Sequence, residues 1–337
     1  MSEAYRVELM EPSERAACDA VLDAAFATTL KRMLGKVPPG RMEGTRITNR
    51  FLREGSRVFV IRDDDRVVRA VLHLQRAGTR SIAGPLSVDK AWQMPWKRGV
   101  AEACLDALAR RAVEEGGGII DSVTFPHSTT HFDLYWKYGI PLFQAVFFSL
   151  APTPNGRRLG PAGLEVVRFS TLSPDERQRA LAQCREVTSA FWEGFDHSAD
   201  IQHATAQRMG DTLLVHDGGR VVGFAVFHSG PGGEGFFDEQ LLVKHLYVHP
   251  GAPSPTGAFH ALFDELERIA VSSGAVDVSA MASTGRRATI EALRSRGYRA
   301  TQMHSQMFWM PVASATEAQA VAFASFKADQ LALAEWR

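Results

Sequence analysis

The sequence predicts an α/β (α+β) protein built from two tandem copies of one domain. Three observations predict it. One element order, from a first strand through two helices, a hairpin, a strand, a loop and a long helix to a strand, a short helix and a last strand, is legible twice. Matching residues recur at a single offset of 158 positions: Gly99, Asp106, Leu108, Arg110, Ala112, Val113 and Gly139 return as Gly257, Asp264, Leu266, Arg268, Ala270, Val271 and Gly297. Between the copies, residues 151–163 read APTPNGRRLGPAG, rich in Pro and Gly and without apolar periodicity, as in an inter-domain linker. The expected divisions are a domain over 1–150, the linker, a second domain over 164–312 and a C-terminal helix over 313–337.

In the first copy, Tyr5–Leu9 reads as a strand, and Pro12-Ser13-Glu14 starts a helix whose apolar face is Ala17, Val21, Leu22, Ala25 and Phe26. A second helix is expected over Arg46–Glu54. Val58–Ile61 and Val67–Leu74 flank an Asp-rich turn and predict a hairpin. A strand follows within Arg80–Val88, then a Trp-rich loop and a helix from Gly99 to about Glu115. Ile119–Phe125, His131–Lys137 and Phe143–Leu150 read as strand, helix and strand.

The second copy repeats this with a stronger helix start, Ser173-Pro174-Asp175-Glu176, and a hairpin turn at Asp217-Gly218-Gly219. The run from Arg66 to His73 matches the run from Arg220 to His228 if one insertion is allowed. The plainest element is Leu241–Gly274. It comprises an apolar strand broken by Lys244 and His245, a loop carrying Pro250, Pro253 and Pro255, and a helix from Gly257. A helix N-terminus presents unclaimed N–H groups and the positive end of the dipole, so a glycine there suits an approaching anion.

This strand, loop and helix resemble the acyl-CoA motif of the GCN5-related N-acetyltransferases (GNAT), (Gln/Arg)-x-x-Gly-x-(Gly/Ala), on Ser254-Pro255-Thr256-Gly257-Ala258-Phe259. The motif's first residue is Ser254 here and its last small residue is Phe259, a side chain expected to crowd the diphosphate. The first copy has Trp96-Lys97-Arg98-Gly99-Val100-Ala101, with the glycine, the small last residue and two cations. Its loop is longer, 11 positions from Val88 to Gly99 against nine from Val248 to Gly257. The resemblance covers nearly the whole chain at the level of motif and element order, and two such domains in one chain resemble the architecture of mycothiol synthase. It implies two GNAT domains, each a mixed, mostly antiparallel sheet flanked by helices. It also implies acetyl-CoA as acyl donor, held at Val88, Lys97, Arg98, Gly99, Val100, Ala101, Tyr247, Val248, Ser254, Thr256, Gly257 and Ala258.

Acetyl transfer to an amine needs a proton acceptor for the attacking ammonium and a donor for the departing thiolate. The family's Tyr-x-x-x-Gly-Phe pattern matches Tyr135-Trp136-Lys137-Tyr138-Gly139-Ile140 and makes Tyr135 the candidate acid; the second copy has Leu293 there. On the second core strand Glu239 and His245 are candidate bases, with alternation placing His245 and Tyr247 on one face and Lys244 on the other. Substrate selection is expected between the first two helices, at Trp192, Glu193, Phe195 and His197.

The balance of 38 basic and 38 acidic residues argues against a general nucleic-acid binder. No run of 18 apolar residues predicts a membrane span, and the first residues lack a signal-peptide core. Cys18, Cys104 and Cys184 are far apart and read as reduced core thiols of a cytoplasmic protein, with no metal-ligand spacing. The expected partner is a small-molecule amine, with no nucleic acid and no membrane, for a monomer or homodimer. Two alternatives stay open: a Fem-like aminoacyltransferase, and a non-catalytic acyl-CoA-binding module.

Overall fold

The computed structural model describes residues 5–34, 44–53, 57–77, 80–92, 99–115, 119–124, 139–152, 158–161, 163–191, 195–206, 210–230, 239–283 and 287–311. The chain forms two compact units, 1–142 with 306–325, and 143–305 with 326–337. Both are mixed α/β with mostly antiparallel strands flanked by helices. The expected helices at 131–137 and 313–337 lie outside the described residues.

In the first unit β1 (Val7–Leu9), β2 (Arg57–Arg62), β3 (Val68–Ala77), β4 (Arg80–Val88) and β5 (Ile119–Thr124) lie in that order across the sheet. Helices α1 (Arg15–Leu34) and α2 (Gly44–Arg53) precede β2, and α3 (Val100–Glu114) joins β4 to β5. Only β4 and β5 are parallel, as a helical crossover requires. The continuous apolar run VFVI is explained by burial on both faces: Phe59 and Ile61 pack toward α3, Val58 and Val60 toward Cys18, Val21 and Leu22 of α1. Arg62 is buried between the carboxylates of Glu8 and Glu14, and its hydrogen bond to Glu14 holds that carboxyl below the usual carboxylate range.

The second unit repeats the plan. β7 (Glu165–Arg168), β8 (Gly210–Asp217), β9 (Arg220–His228), β10 (Gln240–Val248) and β11 (Asp277–Ser283) follow in order, with α4 (Pro174–Ser189), α5 (Ser198–Ala206) and α6 (Pro255–Ser273) in the corresponding connections. Ser173 caps α4 in the box its sequence predicts, with Glu176 accepting the Ser173 N–H at 2.8 Å. The next strand partner of β11 is Ala145–Leu150 of β6 (Gly139–Leu150), so the strand expected to end the first domain lies in the second compact unit. After α7 (Arg287–Ser295), β12 (Arg299–Pro311) leaves its last residues, Gln306–Pro311, in the first.

The hairpins correct one residue match. The second turn holds two residues, Gly218 and Gly219, at φ 57° and 79°, which a two-residue hairpin loop of this hand requires. The first holds three, ending on Arg66 at φ 64°, with Asp63 N–H bonded to Val67 O at 3.0 Å. Val67 therefore corresponds to Arg220, and the apparent Arg-Val-Val likeness is out of register by one. The longer turn absorbs the difference.

All three cysteines are free and buried, and burial pushes the thiols of Cys18 and Cys104 up to about 12 and that of Cys184 up as well. A thiol reagent at neutral pH should leave the folded chain unmodified and label all three only on unfolding. Fast labelling of any one would show that its helix does not pack as described. Among the described residues no helix is long and apolar enough to cross a membrane.

Candidate active site

Each unit has the same opening in its sheet. β10 pairs with β11 only over Gln240–Val243, while its pairing with β9 continues to Val248. β4 likewise pairs with β5 only over Arg80–Ala83 and with β3 as far as Val88. Beyond those points the pairing of the parallel strands ends while β4 and β10 run on. A bulge stands where each parting begins. In β10 Val243 faces Phe227 and His245 faces Val226, so Lys244 is the extra residue. In β4 the extra length falls between Ala83 and Leu86, opposite His73.

The bulge changes which side chains share a face. Leu241 and Val243 pack toward α6, and so do Leu246 and Val248. Lys244 and His245 both turn to the other face, where they meet Asp200 in the first turn of α5. Lys244 Nζ lies 3.2 Å from Asp200 Oδ1, and His245 Nε2 lies 3.4 Å from the same oxygen. His197 Nδ1 is 3.3 Å from Asp200 Oδ2, and His197 Nε2 is 3.0 Å from the Tyr247 hydroxyl. The expected separation of Lys244 from His245 therefore fails, because an inserted residue shifts the strand's period by one.

Aromatic rings close the cluster. Phe191, Phe195 and Phe224 meet Tyr247 at centroid distances of 5.3, 5.9 and 5.6 Å. The side chains of His197 and His245 are 0% exposed and that of Asp200 4%. This side of β10 is thus filled by the protein's own groups.

The helix starts differ between the units. Gly257 is buried, and a Cβ there would lie 2.8 Å from Pro161 Cγ and 2.4 Å from Ser254 Oγ. Pro161 is held in place by its neighbours. Asp264 accepts the N–H groups of Leu159 and Gly160 at 3.0 and 2.8 Å, and Gly160 passes so close to Ala261 that a Cβ would stand 2.9 Å from its Cα. The glycine of the second motif is therefore required by packing against the linker. Pro255 at the first helical position offers no N–H, and the first intrahelical bond is Ala258 N to Ser254 O. Gly99, by contrast, adopts φ 97° at the N-cap of α3, and among the described residues a Cβ there would meet only Tyr5 Cε2 at 3.8 Å. The N–H groups of Val100, Ala101 and Glu102 precede the first intrahelical bond, Ala103 N to Gly99 O.

Of the residues singled out in sequence, His197, His245, Tyr247 and Phe195 come together. Val88 and Val248 end β4 and β10, and Val100 with Ala101, and Thr256 with Ala258, open the two helices. Ser254 is the N-cap of α6, though its side chain makes no capping bond. Glu239 is exposed at the paired end of β10, six residues and roughly 20 Å of strand from His245. Tyr135, Lys97, Arg98, Trp192 and Glu193 lie outside the described residues. Phe259 does not face the loop. It is buried in the core and stacks on Phe263 at 4.6 Å, because the helical period turns it inward beside Leu262. Sequence reasoning missed Asp200, which looks like any acid in a helix's first turn. It also missed His73 and Asp121, both buried; alternation against Leu72, Leu74 and Ile120 places them on the sheet face opposite α3.

No family model matches the chain, and no curated protein is similar to it in sequence. Solved structures are similar in fold. A GCN5-related N-acetyltransferase from Sphaerobacter thermophilus aligns with a TM-score of 0.58 at 13% identity, covering 91% of this chain and 95% of its own. An acetyltransferase from Pyrococcus horikoshii, described as putative, gives 0.54 at 16% identity over 93% and 92%. A tandem GNAT protein from the clavulanic acid biosynthesis pathway gives 0.53 at 15% identity over 90% and 97%. At these identities the likeness is one of fold, it spans nine-tenths or more of the chain, and the chain has the tandem GNAT fold.

Proposed function

We propose that the protein is an acyl-CoA-dependent N-acyltransferase that moves an acetyl group to a primary amine of a small molecule, with the donor taken by the first unit. The observation that carries this reading is the contrast between the two helix starts. Gly99 is left-handed and, among the described residues, has only Tyr5 near its Cβ position at 3.8 Å, whereas Gly257 is covered by Pro161. Acyl-CoA supplies the thioester. The edge of β4 from Gly84 to Val88, beyond its pairing with β5, offers backbone groups to the donor, and the N–H groups of Val100 and Ala101, with Lys97 and Arg98, suit the diphosphate. Tyr135 stays the proposed proton donor to the leaving thiolate, and buried His73 and Asp121 join the search for the acceptor.

Millimolar CoA should raise the melting temperature, by the equivalent of about 2.7 kcal/mol if it reaches a hundredfold excess over Kd. Acetyl-CoA with a panel of small amines should release free thiol. No thermal shift and no thiol release together would remove the reading. A chain that binds acyl-CoA without turnover is the second reading, favoured by the filled acceptor face of β10. Stabilisation by CoA with no thiol release from any amine would establish it.

A further inference from the structure

We propose that His197, Asp200 and His245 form a site for one divalent transition-metal cation of the zinc class. The three residues come from the start of α5 and the bulge of β10, and their donor atoms all lie within 4.8 Å of one another. Zinc bonds to imidazole nitrogen and carboxylate oxygen are about 2.0–2.1 Å, so a tetrahedral ion sets its donors roughly 3.3–3.4 Å apart. His197 Nδ1 lies 3.3 Å from Asp200 Oδ2 and His245 Nε2 3.4 Å from Asp200 Oδ1, so the two imidazoles address different oxygens of one carboxylate, and an ion between them would turn that carboxylate to bring one oxygen to both. The two imidazole rings stand 4.0 Å apart, tilted by 34°, so taking up a tetrahedral ion would also spread them.

The surroundings fit a metal as well as the donors do. A ligating histidine needs its second nitrogen engaged so that one tautomer is fixed, and His197 Nε2 has the Tyr247 hydroxyl at 3.0 Å. Asp200 already attracts a cation, the Lys244 ammonium at 3.2 Å. That side chain is 11% exposed, so its amine can turn to water and leave its place to the metal. Two neutral imidazoles and a carboxylate then leave a fourth position for water. Phe191, Phe195 and Phe224 wall the cluster and slow exchange. The site is independent of the donor reading, since it needs neither acyl-CoA nor the first unit.

The test uses the full chain stripped with a chelator and titrated with zinc chloride against a chromophoric competitor, with cobalt(II) as a spectroscopic probe. One zinc per chain should bind, and cobalt should give the intense visible bands of a tetrahedral centre. His245→Gln and Asp200→Asn should each weaken binding at least a hundredfold, and Tyr247→Phe by about tenfold. His249→Gln, at a half-buried histidine outside the cluster, should change nothing. An absence of stoichiometric zinc, an octahedral cobalt spectrum, or binding that survives the His245 and Asp200 substitutions would each overturn the site. Should those two variants fail to fold, the wild-type spectrum and Tyr247→Phe still decide. None of these readouts depends on acyl transfer, so failure here leaves the donor reading standing, and the reverse also holds.

Discussion

Arg296→Ala should destabilise the second unit by roughly 3–5 kcal/mol, the cost of stranding a buried carboxylate. Arg296 is fully buried behind α7. Its Nε binds Glu267 Oε1 at 2.9 Å, and its NH2 group binds Asp264 Oδ1 at 2.9 Å. Glu267 has little else: the Tyr298 hydroxyl is 3.3 Å away. Removing the guanidinium, which lies over the Phe263 ring, leaves Glu267 charged inside the core, with the Coulomb gain lost and the desolvation cost kept. It also frees Asp264, which fastens Leu159 and Gly160 to α6. In a unit of this size the loss corresponds to a fall in melting temperature of roughly 6–20 °C. Arg296→Met alone should be nearly as harmful. Arg296→Met combined with Glu267→Leu should recover most of the stability, because a well-packed apolar pair replaces a buried ion pair at little cost. A double variant as unstable as the single one would show that shape, not charge, governs the site.

The architecture was legible because it is written locally. Both-face burial gave the apolar runs of β2 and β9, the Ser173–Glu176 box started α4, and the Gly218-Gly219 pair fixed a hairpin. What escaped is non-local. The bulge at Lys244 depends on how β10 registers against β9, and nothing in QLLVKHLYV announces that the alternation will slip. Once it slips, Lys244 and His245 share Asp200, and a spacing of 45 residues from Asp200 to His245 resembles no metal or catalytic pattern. Phe259 was misread because the loop motif was followed past the point where the helical period takes over. Gly257 matched a ligand-binding glycine, yet its close neighbour is Pro161, nearly a hundred residues earlier. Two pressures, a ligand or a packed proline ring, leave the same letter in a sequence.

That ambiguity gives the second large expected effect, a crossed result at the two glycines. Gly99→Ala should weaken CoA binding by at least about tenfold, or 1.4 kcal/mol. At φ 97° an alanine is strained by about 1–2 kcal/mol, so the N-cap relaxes and the N–H groups of Val100 and Ala101 turn from their common direction. Among the described residues the methyl itself meets only Tyr5 Cε2, at an ordinary contact distance of 3.8 Å. Gly257→Ala should do the opposite. Its methyl meets Pro161, which cannot retreat while Asp264 holds Leu159 and Gly160, and the cost should be roughly 1–3 kcal/mol of stability with CoA affinity unchanged. Calorimetric titration of both variants with CoA, beside their melting curves, separates the cases. Loss of CoA binding on Gly257→Ala, with Gly99→Ala silent, would move the donor to the second unit, where Pro161 would then have to give way before the diphosphate could reach α6.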